Sequence, residues 1–170
     1  MSAMHKDAIP APWRRLGETL EGHFTARAHG LLASDFALLD REGNEIGRLS
    51  IDGPEAAELR TADVKAHIER LARNRYRMPS GGLEILTSTE VPGSPRITCL
   101  GRPYNVKLSL LRSTAAAGPA GDETTARVAG GLTNRRYEIT FDARDEGSLP
   151  VALFLLYRLV DLRRAAYRAG

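Results

Sequence analysis

The stretch from residue 149 to 162 constrains the fold of this chain more than any other. It reads Leu149-Pro150-Val151-Ala152-Leu153-Phe154-Leu155-Leu156-Tyr157-Arg158-Leu159-Val160-Asp161-Leu162, with ten large apolar residues and no charge between 149 and 157. Ser148 suits a helix N-cap, and Pro150 is tolerated in a first turn. Asp145 and Glu146 sit at the dipole's positive end, and Arg163, Arg164 and Arg168 complement the other. The pattern predicts a helix over 149–166. A helix apolar on every face must be buried on every face. Taking ten such side chains out of water contributes roughly 15–30 kcal/mol gross, before the entropy of ordering the chain. The simplest arrangement wraps the preceding residues around this helix.

Those preceding residues are dominated by a period of two, the signature of half-buried strands. Phe24, Ala26 and Ala28 alternate with Thr25, Arg27 and His29. Two apolar runs flank Gly43-Asn44, which reads as a hairpin turn. Residues 61–69 alternate as a strand, although Val64, Ile68 and Leu71 also fit a helical stripe; strand is preferred because the neighbours are strands. Further strands are expected at 83–88, 96–101, 103–112, 126–132 and 136–142, nine in all. Residues 113–125, rich in Ala, Gly, Ser and Thr, read as a mobile loop. Ahead of the strands, residues 1–11 read as a disordered leader. A short helix follows from Pro12, with Trp13, Leu16 and Leu20 on one face and Gly22 at its end. No linker divides the chain, so 1–22 is leader and helix and 23–170 one β-rich domain.

Many short antiparallel strands followed by one very apolar C-terminal helix resemble the tubby C-terminal-like superfamily, which includes LURP-one-related proteins and phospholipid scramblases. The local matches are Phe36-Ala37-Leu38-Leu39-Asp40-Arg41-Glu42-Gly43-Asn44-Glu45-Ile46-Gly47, similar to an early LURP-one-type hairpin, and Tyr137-Glu138-Ile139-Thr140-Phe141-Asp142 ahead of the helix. The resemblance covers roughly residues 23–165. It implies a closed antiparallel barrel around the helix and, in some branches, binding of phosphoinositide or other membrane lipid. The calcium-binding and transmembrane segments of scramblases have no match here. The alternative fold is an α+β sheet with the helix on one face. A barrel leaves 149–156 inaccessible all round, whereas a one-face helix leaves a stripe partly uncovered.

Composition bounds the function classes. The single cysteine, Cys99, excludes an internal disulfide framework and a multi-cysteine metal site. No run approaches the roughly 18 apolar residues of a membrane span, and the start lacks a secretory h-region, so a soluble cytoplasmic protein is expected. The formal charge is +3, and of 24 basic residues 21 are Arg, beside 23 Ala, as GC-rich codons would produce without selection for a polyanion. Phosphate-loop, nucleophile-elbow and zinc-protease motifs are missing, and no cofactor or metal is implied. His5, His23, His29 and His67 lack ligand spacing and read as solvated or hydrogen-bonded imidazoles; Cys99 reads as a small buried hydrophobe. Gly130-Gly131 reads as a bulge or bend. The grouping of Asp142, Asp145 and Glu146 is explained by the helix start.

The remaining polar signal is Arg70-Leu71-Ala72-Arg73-Asn74-Arg75-Tyr76-Arg77. If extended, Arg73, Arg75 and Arg77 project from one face, a spacing suited to successive phosphates or an acidic lipid surface. Arg135, Arg136 and the C-terminal arginines are candidates to join them in space. The competing reading is a solvated strand edge blunted by charge. Only Tyr76 interleaves the arginines, which argues against nucleic acid. The expected function is a non-enzymatic binding module for anionic lipid or another acidic partner. A small-molecule enzyme with a site at a barrel mouth, or a structural or assembly role, are the alternatives.

Overall fold

The computed structural model describes residues 8–30, 34–91, 94–119 and 123–169. Helix α1 (Ala11–Leu20) is followed by twelve strands: β1 (His23–Ala28), β2 (Asp35–Leu39), β3 (Glu45–Ile51), β4 (Ala56–Thr61), β5 (Lys65–Ala72), β6 (Arg75–Ser80), β7 (Leu83–Val91), β8 (Ser94–Cys99), β9 (Arg102–Ser109), β10 (Thr114–Pro119), β11 (Ala126–Gly130) and β12 (Arg136–Phe141). Helix α2 (Ser148–Ala169) closes the chain. Each strand pairs antiparallel with the next, and β12 pairs with β1, so the meander closes into a barrel. Closure removes every free sheet edge.

The barrel is wrapped around α2. Every residue from 148 to 160 is buried, Arg158 included, and Val151, Ala152, Leu156, Tyr157, Leu159 and Val160 are fully inaccessible. No side of the helix is left uncovered over 149–156, which overturns the one-face α+β alternative. The strands supply the other half of the core from alternate positions: Phe24 and Ala26, Leu49 and Ile51, Ala66 and Ile68, Tyr76 and Met78, Tyr137 and Ile139.

The two ends of the barrel differ. Strand parity puts the β2–β3, β4–β5, β6–β7 and β8–β9 turns at the end where α2 begins. Helix α1 plugs that end: Trp13, Leu16 and Leu20 are buried as their spacing predicts, Trp13 Nε1 donates to Ser80 Oγ at 3.1 Å, and Ile9 N donates to Glu146 at 3.4 Å. The turn at Gly43-Asn44 lies here as expected, with Gly43 at φ 85° and Asp40 Oδ1 accepting from the amides of Glu42 and Asn44. The β3–β4, β5–β6, β9–β10 and β11–β12 turns surround the opposite end, from which the last turns of α2 emerge. This is the open end.

Several expectations need correction. Twelve strands form where nine were read; β4, β6 and β10 were missed. Residues 61–69 are not one strand: Thr61 ends β4, β5 starts at Lys65, and the turn between them has Thr61 Oγ1 accepting from Val64 N at 2.9 Å. The expected loop at 113–125 holds β10 instead; residues 120–122 lie outside the described residues. Of the expected leader, residues 1–7 lie outside them too, while Ile9 is buried under α1. Ser148 does not cap by accepting. Its hydroxyl donates to the carbonyls of Asp142 and Asp145, both at 2.7 Å, pinning the chain as it turns into the barrel.

The Ala-rich run of β10 has a packing reason. Ala115 and Ala117 point inward and are buried, and α2 packs most closely on β10, β11 and β12. Gly130 on the same wall gives way to Arg163 and the Tyr137 ring, where an added Cβ would collide with both. Small residues let the helix lie against this wall, off the barrel axis. Its contacts with β7 and β8 are fewer, and those with the remaining strands fewer still.

Candidate functional site

At the open end, the hairpin β5–β6 and the last turns of α2 flank an open pocket of about 600 Å³. Arg70, Arg73, Arg158, Arg164 and Arg168 line it, beside only two carboxylates, Glu90 and Asp161. Its excess of three positive charges equals the formal charge of the whole chain.

The five arginines are not equivalent. Arg158 stands on the buried part of α2, and its Nε and Nη2 donate to both oxygens of Glu90 at 2.5 and 2.9 Å, while Nη1 donates to Asp161 at 3.0 Å. Burial opposes its charge, but the bonds and charges of Glu90 and Asp161 win, leaving its pKa above the ordinary arginine value. The guanidinium lies 4.7 Å from the centroid of Tyr76, which forms edge contacts with Phe154 and Tyr157. Arg158 is thus a structural cation that consumes both carboxylates. Arg70 bonds the hairpin backbone through Nε to Ala72 O at 3.3 Å and Nη2 to Arg73 O at 2.7 Å. Among the described residues, Arg73, Arg164 and Arg168 have no carboxylate partner. Arg164 Nη1 is buried with nothing to donate to. Three guanidinium groups without a carboxylate partner in one pocket suit an anion.

The sequence-derived arginines divide accordingly. Arg70 and Arg73 reach the cavity, joined by Arg164 and Arg168 from the helix tail. Arg75 and Arg77 share the outer face of β6 as an extended segment requires, but Arg73 lies in the turn and leaves that row. Arg77 is paired with Glu69 at 2.7 Å. Arg135 and Arg136 reach the same end on the opposite wall, since β12 lies across the barrel from β6. Arg135 donates to Gly30 O at 2.7 Å and Arg136 lies 3.6 Å from Glu138. They do not enter the cavity.

Beside this cavity lies a second, apolar one of about 320 Å³, in the gap between α2 and β7–β9. Ile97, Val106, Leu108, Phe154, Leu155 and Leu162 line most of it. Asn74, Glu90, Arg158 and Leu162 border both cavities.

The open end also carries unusual apolar exposure. Of six large hydrophobic side chains left exposed among the described residues, only Leu83 lies at the plugged end. Leu71 sits beside the β5–β6 turn, Leu110 and Leu111 in the β9–β10 turn, Leu132 in the β11–β12 turn and Tyr167 on the emerging helix. Leu111 and Leu132 are 97% and 100% exposed. Sequence reasoning did not find this rim. Isolated leucines within turns were the available signal.

Other candidates resolve into structure. The acids at 142–146 separate: Asp142 pairs with Arg144, Glu146 faces Arg14, and Asp145 accepts from Tyr104 Oη at 2.7 Å, Thr125 Oγ1 at 2.8 Å and Gly147 N at 3.2 Å. Asp145 therefore ties β9 and the β10–β11 connection to the start of α2. Cys99 is buried with Sγ 3.7 Å from Gly147 O, and burial foremost pushes its thiol up to about 12, far from a reactive thiolate. His23 meets Glu138 at 2.8 Å on the surface, and His29 and His67 are exposed; His5 lies outside the described residues. No three metal-ligating side chains gather among the described residues. None of their helices is long and apolar enough to cross a membrane.

The fold has a solved counterpart. The chain is similar to an X-ray structure of a protein from Arabidopsis thaliana, with a TM-score of 0.61 over 86% of this chain and 95% of that one, at 12% identity. No protein-family model matches the sequence, and no curated protein matches it. Identity this low establishes a shared fold alone.

Proposed function

We propose that this protein is a non-enzymatic binding module of the tubby-like superfamily that docks its open end on a membrane surface containing anionic lipid. The helix-in-barrel architecture supports the superfamily. One coincidence carries the function: the unpaired arginines Arg73, Arg164 and Arg168 occupy the same end as the exposed Leu71, Leu110, Leu111, Leu132 and Tyr167. Arginines alone would serve any polyanion. Leucines at hairpin tips beside them suit a bilayer, whose interface takes apolar side chains while its anionic headgroups meet the cations. The anionic inner leaflet and a single buried cysteine both suit a cytoplasmic location.

Sedimentation with phosphatidylcholine vesicles, with and without phosphatidylserine, tests the reading. Each cation near an anionic surface contributes about 1 kcal/mol, so reversing Arg73, Arg164 and Arg168 to Glu is expected to weaken binding by at least about a hundredfold at low salt. Leu111→Ser with Leu132→Ser is expected to weaken it at low and high salt alike, because the apolar contribution is not screened. Binding unchanged in both variants would overturn the reading.

A further inference from the structure

We infer that a lipid held at the open end seats an acyl chain inside the barrel, in the apolar cavity between α2 and β7–β9, with its anionic head on Arg73, Arg164 and Arg168. This rests on the docking reading and adds to it a ligand class, an anionic lipid bound head and tail. Three observations carry it. The cationic and apolar cavities are adjacent, sharing Asn74, Glu90, Arg158 and Leu162 as a common border. Joined, they have the polarity profile of an amphiphile, a charged compartment followed by an oily one. Arg164, which lines the charged compartment, has a buried guanidinium nitrogen, Nη1, without a partner among the described residues.

The apolar cavity follows from the fold. The small residues of β10 draw α2 toward β10–β12, and the adjoining wall of β7–β9 is left with less contact. Val106 and Leu108 on β9 are only partly buried, although they lie on its inward-facing row with Tyr104. Glu90 at the shared border does not repel an anionic head strongly, because Arg158 engages both of its oxygens. The four remaining arginines outnumber Asp161, which Arg158 also binds.

The test compares two soluble probes by calorimetry: lauroyl lysophosphatidic acid below its micelle concentration, and glycerol 3-phosphate, the same head without a chain. The lysolipid is expected to bind at least about a hundredfold more tightly, since each buried methylene adds to affinity. Val106→Trp fills the apolar cavity from β9. It is expected to weaken lysolipid binding by at least about tenfold while leaving glycerol 3-phosphate binding unchanged. Leu108→Trp fills the same space and serves if the first variant does not fold. Equal affinity for the two probes, or lysolipid binding unaffected by either tryptophan, would overturn the seated chain. Vesicle binding that survives such a result leaves docking intact, so the two readings fail separately.

Discussion

Arg158 on the central helix holds both carboxylate oxygens of Glu90 on β7, at 2.5 and 2.9 Å. The arginine side chain is 7% exposed and the glutamate 28%, so the pair sits where the barrel interior meets the open end. It gives the one charged residue in the buried stretch 148–160 of α2 a partner and forms the border between the two cavities. Removing one partner strands a charge in a poorly solvated place. Arg158→Ala is expected to cost about 3–5 kcal/mol in urea unfolding, and Arg158→Met with Glu90→Leu to recover much of that loss. Equal destabilisation by the single and double variants would contradict this.

On the opposite wall a second hydrogen-bonded set clamps the helix. Tyr137 Oη donates to Asn134 Oδ1 and accepts from Arg163 Nη1, while Asn134 Nδ2 donates to Val160 O at 3.1 Å and Arg163 Nη2 to Gly131 O at 2.8 Å. Tyr137→Phe leaves two buried groups short of a partner. A loss of about 1–3 kcal/mol is expected in chemical denaturation. A neutral substitution would show that water replaces the hydroxyl there.

The buried phenols and thiol make the fold sensitive to alkali. Burial is the largest cause raising Cys99 from 9.0 to about 12 and Tyr137 from 10.0 to about 12, and it also raises Tyr76, Tyr104 and Tyr157. For an acid whose folded pKa is raised, stabilisation is complete below the unfolded value and disappears as pH rises through the folded one. Stability is therefore expected to be flat with respect to these groups below pH 9 and to fall between pH 9 and about 12. Urea midpoints measured across that range check the slope. Tyrosinate absorbance from the four buried rings at pH 10, with folding intact, would contradict it.

Packing on β10 has a position-specific signature. Ala117 faces the helix and is 2% exposed, whereas Ala116 points outward. Ala117→Leu is expected to destabilise by about 1–3 kcal/mol through overpacking, and Ala116→Leu by less than about 0.5 kcal/mol. Thermal melts of the two variants separate the faces. Equal shifts would mean that α2 does not approach this wall.

That wall also explains how much was legible in the sequence. The helix announced itself because nine successive positions without charge leave no solvent-compatible face. The strands with large alternating residues, such as Tyr137, Ile139 and Phe141, were equally plain. Ala115, Ala117 and Gly118 gave β10 the composition of a loop, because closeness to the helix demands small side chains where strands usually carry branched ones. β6 was obscured by Arg75, Arg77 and Pro79, and β4 by its alanines. The candidate site was half legible. Arg70 and Arg73 stood in a visible run, but Arg164 and Arg168 had an adequate local explanation at a helix C-terminus, and only the path of α2 through the barrel brings them to the β5–β6 hairpin. The partner of Arg158 was invisible for the same reason: Glu90 is distant in sequence and brought close by closure.

The open end, and not basicity in general, is the part of the barrel proposed to meet anionic lipid. This is tested most directly by comparing two variants of equal charge on phosphatidylserine vesicles. One reverses Arg73, Arg164 and Arg168 at the open end, and the other reverses Arg48, Arg96 and Arg127, which are exposed on the barrel's outer wall. Three Arg→Glu changes subtract six charges, so both variants move the formal charge from +3 to −3. The open-end variant is expected to lose at least about a hundredfold in vesicle affinity and the outer-wall variant less than about tenfold. Equal losses in the two variants would contradict the account.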